Sequence, residues 1–142
     1  MAAELGNARR AYVTLGSSGT PTTWLSGEQT NSFNRTAEAI EVSDKSTQWA
    51  QFIAGKKGAT AEITVYTDDT ADGPQYNCIK ALHTGATVRV FIGKLNGSTA
   101  SQGDVFTAIV TAVSDTNENG SVASRSISLT ATGEVTHYPS LS

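Results

Sequence analysis

Residues Val105 to Val113 read VFTAIVTAV, and this stretch constrains the fold more than any other. Val105, Ile109 and Val113 fall on one alternating face, and Phe106, Ala108, Val110 and Ala112 on the other. A strand with no polar side needs cover on both faces, so it belongs inside a layered β structure. Other stretches alternate more simply. Ala59, Ala61, Ile63 and Val65 interleave with Thr60, Glu62, Thr64 and Tyr66, and Val88, Val90 and Ile92 repeat the pattern. Ala11 to Leu15 and Glu38 to Val42 are shorter candidates, and Ala123, Ile127, Leu129 and Ala131 line one side of a last strand. Asn119-Gly120 tolerates the positive φ angles of a type I′ turn and joins the two final strands.

One helix interrupts this series. In DDTADGPQYNCIKALHTG, Asp72 or Gly73 is placed to cap, Pro74 suits the first turn and Gly85 suits the stop. Cys78, Ile79 and Leu82 form its apolar stripe, with Gln75 and Lys80 outside it. The expected class is mainly β, a sandwich or barrel with one flanking α-helix. A chain of 142 residues can bury a real core as a single domain over 1–142. Residues 1–10 lack periodicity and are expected to be an N-terminal arm. The composition agrees. Ser and Thr make up about a quarter of the chain, Gly adds 13, and only 38% is hydrophobic, a mixture suited to strands and turns.

One segment contradicts its neighbours. Between Ser43 and Gly58, Trp49, Phe52 and Ile53 stand beside Gly55, Lys56, Lys57 and Gly58, where an extended exposed loop is expected. Large apolar side chains in a loop point to a partner surface.

Charge and motifs exclude several functions. The net charge of −3 leaves no basic footprint for nucleic acid or an anionic membrane. No apolar run approaches the roughly 20 residues that span a bilayer. The stretch after Arg9-Arg10 is too short and polar for a signal-peptide core, so a soluble protein made in the cytoplasm is expected. Cys78, the single cysteine, excludes an internal disulfide and fits a buried, inert thiol. His83 closes the helix at its negative dipole end, and no carboxylate or nucleophile pattern surrounds His137. DTNENG and DDTADG imitate calcium loops, but Ser126 and Ile79 stand where the bidentate Glu belongs. Turn and cap chemistry explains them, as it does the sequons at Asn34, Asn96 and Asn119. With no phosphate loop, metal cluster or nucleophile elbow, neither an enzyme nor a cofactor is expected.

The order of parts is informative. EAIEVSDKSTQWAQFIAGKKGATAEITVYTD precedes the helix YNCIKALHTG and the strand ATVRVFIG, followed by GDVFTAIVTAVSDT and the closing SISLTATGEVT. Across roughly residues 36 to 136 this resembles the major tail tube protein family of long-tailed bacteriophages. The resemblance implies a β-sandwich with a flanking helix and a long loop, assembled as six-fold rings stacked into a hollow tube that conducts genomic DNA. It implies a place in the virion tail, assembly in the host cytoplasm, and no membrane contact. The implied partners are other copies of the chain, tail terminator and tail tip or baseplate proteins, the tape measure protein and, transiently, DNA.

Under this resemblance Trp49, Phe52 and Ile53 become inter-ring anchors, with Lys56 and Lys57 at the interface rim. Thr60, Glu62, Thr64, Ser124, Ser126 and Ser128 become lumen-facing, because a polar wall without cations guides DNA without gripping it. Arg125 falls on the opposite face by alternation and is expected at a subunit boundary with an acidic partner. Ring neighbours are expected to pair edge strands, with Val105 to Val113 as the motivating strand. A carbohydrate- or surface-binding β-sandwich is the alternative, with Trp24, Trp49, Tyr66 and Tyr138 as stacking residues.

Overall fold

Alternation becomes burial. Ala59, Ala61, Ile63 and Val65 are buried, while Thr60, Glu62 and Tyr66 are exposed and Thr64 is half-buried. The computed structural model describes residues 9–16, 21, 24–25, 27–46, 48–96 and 99–138. Seven strands and one helix follow in order: β1 (Arg10–Leu15), β2 (Glu28–Glu41), β3 (Phe52–Tyr66), α1 (Pro74–Thr84), β4 (Thr87–Asn96), β5 (Thr99–Thr116), β6 (Ser124–Ala131) and β7 (Thr136–Tyr138). They make one antiparallel sheet in the order β1-β4-β5-β6-β3-β2, and β7 joins β5 at Gly103 to Val105, beyond the end of β6. The N-terminal arm expected over residues 1–10 lies outside the described residues except for Arg9 and Arg10, and Arg10 already belongs to β1.

The sheet coils until its ends meet. Tyr12 of β1 bridges to Trp24 just before β2, and the Asn31 side chain donates to the Arg9 carbonyl at 3.3 Å. Phe33 of β2 stacks on Phe106 of β5 across the interior, with ring centroids 4.8 Å apart. Gly93 and Gly103 face each other in the β4–β5 pair, and a Cβ at either would strike the opposite strand's backbone carbonyl. Only glycines permit that close approach. The result is the expected β-sandwich or barrel with a flanking helix.

The core runs through Val13, Leu25, Ile63, Val65, Val88, Val90, Phe106, Ile127 and Leu129. A smaller cluster on the other side of the sheet packs Phe91 and Val105 beneath Tyr12 and Tyr138. Helix α1 starts after Gly73, with Pro74 in its first turn, and ends at Gly85 in the left-handed region. Its buried face is Gln75, Cys78 and Ala81, so Gln75 lies inside where its polarity had placed it outside. Hydrogen bonds explain the exchange: the Gln75 amide donates to the Tyr66 carbonyl at 2.8 Å and accepts from the Asp68 backbone N–H at 3.0 Å. Among the described residues, no helix is long and apolar enough to cross a membrane.

Two further sequence expectations change. In β5 a register shift falls between Val110 and Ala112, turning Val113 toward Ile127 and the core and moving Ala112 to the opposite face. At Asn119-Gly120 only Gly120 has positive φ, so the turn is not type I′. The strands end earlier, at Thr116 opposite Ser124.

Candidate functional site: assembly surfaces

Four strands share one polar face. Thr60, Glu62 and Thr64 of β3 stand opposite Thr130, Ser128 and Ser126 of β6. On the other side of β3 they stand opposite Asn34, Ser32 and Thr30 of β2. Ala112, Ser114 and Thr116 of β5 oppose Ser128, Ser126 and Ser124. Directly paired residues point to the same side of a sheet, so the six residues expected to face a lumen share one surface. Ser126 donates to Glu62 at 3.2 Å. Among these paired positions Glu62 is the one charged residue.

This four-strand face has two unpaired edges. β2 pairs with β3 alone along most of its length. β4 stops at Thr87, opposite Ile109, so β5 from Val110 to Thr116 has a neighbour only on the β6 side. The edge character expected of Val105 to Val113 therefore belongs to a later stretch. Up to Ile109 the strand is flanked on both sides, by β4 on one and β7 or β6 on the other.

The second surface is an arm. The expected loop from Ser43 to Gly58 is strand in its latter part: Phe52 to Gly58 belongs to β3 and pairs with Thr36 to Glu41 of β2. The Gly-Lys-Lys-Gly run is strand with a register shift within it, at Gly55 and Lys56, not a turn. Pairing with β6 begins only at Thr60, so this part of the hairpin is a ribbon of two strands. At its tip the Ser43 hydroxyl accepts from the Gln51 backbone N–H at 2.6 Å, closing the connection.

Trp49 is 83% exposed, Phe52 57% and Ile53 54%. Consecutive strand residues point oppositely, so Ile53 shares a face with Ile40 while Phe52 lies on the other face. Lys56 and Lys57 are exposed. Lys57 borders a depression of about 490 Å³ at the arm's base, together with Arg35, Asp104, Glu134 and His137.

Sequence reading missed two polar clusters. The Asp104 carboxylate is buried between Arg35 and His137, at 2.9 Å from each. His137 thus has a carboxylate partner after all, and the contact ties β7 to β2 and β5. Arg125 is also buried, and its acidic partners lie in its own chain: Asp115 at 2.6 Å and Asp69 at 3.1 Å, with Gln75 accepting at 2.9 Å. Burial opposes the charge on Arg125, but the hydrogen bonds it donates to Asp115 and Asp69 outweigh it and hold its pKa above the ordinary value. The expected boundary with an acidic partner is therefore internal. It pins the connector before α1 to the β5–β6 pair and employs carboxylates from both calcium-like stretches. No local spacing announces either cluster, since the partners lie 10 to 69 residues apart. Cys78 is fully buried, and that burial pushes its thiol up to about 12, despite nearby Arg125. The four aromatics of the carbohydrate alternative are dispersed over the β1–β2 groove, the arm tip, the polar face and the Phe91 cluster.

No protein-family model and no curated protein matches the chain by sequence. Solved structures match it closely in shape. The tail of an empty gene transfer agent particle, with C6 symmetry, superposes with a TM-score of 0.73 at 15% identity, covering 95% of this chain and 98% of that one. The SPP1 tail tube gives 0.75 at 14% identity, covering 96% and 80%. A chain of the anti-feeding prophage baseplate gives 0.69 at 10% identity, covering 98% and 99%. The fold of this chain is that of these tail and tail tube structures.

Proposed function

We propose that this chain is a structural virion protein, the subunit of a phage-type tail tube. The observation that carries the reading is the four-strand polar face with an unpaired edge on each side. An exposed edge is a template for another strand. If β2 of one copy pairs with Val110 to Thr116 of the next, the sheet continues from subunit to subunit. The two edges differ, so the contact is head-to-tail and closes into a ring when the rotation allows. The C6 symmetry of the gene transfer agent tail supports six copies per ring.

The ring turns its Ser/Thr face inward. DNA held by a protein wall needs Lys or Arg at close spacing, because phosphate neutralisation supplies the affinity. A face of hydroxyls with Glu62 as its charge offers no such grip, so DNA slides. The arm carries its apolar residues to the next ring, where burial of Trp49, Phe52 and Ile53 provides anchors, and Lys56 and Lys57 favour orientation. Tail terminator, tip or baseplate and tape measure proteins meet the tube at its ends and in its lumen, in a virion tail assembled in the host cytoplasm.

Concentrating the purified chain and imaging it by negative stain tests this reading. Rings or hollow stacked tubes are expected. Monodisperse particles of subunit size at every concentration would overturn it.

A further inference from the structure

β2 begins beside a groove and ends at the arm. The groove has a volume of about 500 Å³, and Arg9, Arg10, Trp24, Glu28, Gln29 and Asn31 contribute to its lining. Its walls are organised by one carboxylate. Glu28 Oε1 accepts from the Ala11 backbone N–H at 3.1 Å and from the Trp24 indole N–H at 3.4 Å, while Oε2 accepts from the Asn31 amide at 2.6 Å. The Arg10 guanidinium lies 4.1 Å from the Trp24 ring centroid. Trp24 is thus held in place with its N–H already used, yet it is 43% exposed. What it still offers is ring surface.

The arm tip offers the complement. Trp49 is the most exposed large hydrophobic side chain among the described residues, and Glu41, Asp44 and Lys45, near it in sequence, are exposed as well. The groove carries Arg9, Arg10 and Glu28, two cations and an anion, and the tip carries two anions and a cation. β2 runs from one to the other, starting at Glu28 in the groove and stopping at Glu41 where the tip begins. Ten residue steps from Asn31 to Glu41, at roughly 3.3 Å each, make about 33 Å of strand between groove and tip. A copy displaced along the strand direction by a little more than that brings its tip to its neighbour's groove.

We infer that the Arg10–Trp24–Glu28 groove is the receptor for the arm tip of a second copy in the adjacent ring, with Trp49 packed against Trp24. This rests on the tube reading above and adds the receptor to it. Donor and receptor are different surfaces at opposite ends of one strand, so the contact repeats without closing, as stacking requires. Aromatic pairing supplies desolvated contact, and the charges fix orientation.

Cross-linking tests the assignment with both tryptophans intact. Gln29 lies in the groove wall and Gln48 beside Trp49, both exposed. The Gln29→Cys/Gln48→Cys variant cannot bridge within one chain, because the strand length separates the sites far beyond the roughly 7 Å Cα limit of a disulfide. Oxidised in assembled tubes, it is expected to give a ladder of covalent multimers that collapses on reduction, with no ladder from either single variant. Tubes that assemble normally but give no ladder would overturn the groove and leave the tube reading standing. Failure of the unmodified protein to form rings or tubes would overturn both. As an independent check, Arg10→Glu and Asp44→Arg are each expected to lower tube yield, and together to restore much of it. A double variant no better than the worse single one would contradict the pairing.

Discussion

The β2–β3 hairpin passes through two environments. From Ala59 to Tyr66, β3 lies between β2 and β6, and every second side chain enters the core. From Phe52 to Gly58 it has β2 as its one neighbour and no side chain below the surface. Both stretches carry apolar residues, and both are strand. The difference is what lies beside and beneath them. A two-stranded ribbon is marginal in water, whereas a third strand and a core make pairing secure. The body of the hairpin therefore contributes to the subunit's own stability, and the arm contributes little to it.

The largest expected effect comes from breaking the body. Phe106→Ala removes a fully buried ring that stacks on Phe33, and a loss of about 3–5 kcal/mol is expected in denaturant unfolding of the monomer. Trp49→Ala/Phe52→Ala is the counterpart in the arm. It is expected to abolish tubes while changing monomer stability by no more than about 0.5 kcal/mol, the usual range for surface sites. A collapse of the monomer in the second variant would erase the distinction between the two regions.

Those two regions were unequally legible in the sequence. Period-two alternation exposed Ala59 to Val65, and Pro74 and Gly85 bracketed the helix, because those signals are local. In the sequence the arm resembles a loop, because Gly55, Lys56, Lys57 and Gly58 have turn composition. Their strand character comes from pairing with Thr36 to Glu41, which no short window contains. Thr60, Glu62 and Thr64, and Ser124, Ser126 and Ser128, are two separate alternating runs in the sequence. That they form one surface follows from the β3–β6 register, a long-range fact. Arg125 and Asp104 escaped for the same reason: each is satisfied by groups from distant elements.

A smaller effect sharpens the polar side of the body. Glu62→Lys/Ser126→Lys places two cations where the hydroxyl face has one carboxylate, without touching the core. Tubes are expected to form normally, while genome delivery through them slows, more strongly at low salt. Delivery at the wild-type rate would detach this face from the channel.

Amide hydrogen exchange, compared residue by residue between monomer and assembled tube, tests the central distinction most directly. Strong protection of Ala61 to Val65 is expected in both states. Fast exchange of Phe52 to Gly58, and of the outward amides of β2 and of Val110 to Thr116, is expected in the monomer, with marked slowing in the tube. Equal protection of the arm and of these edges in both states would contradict the account.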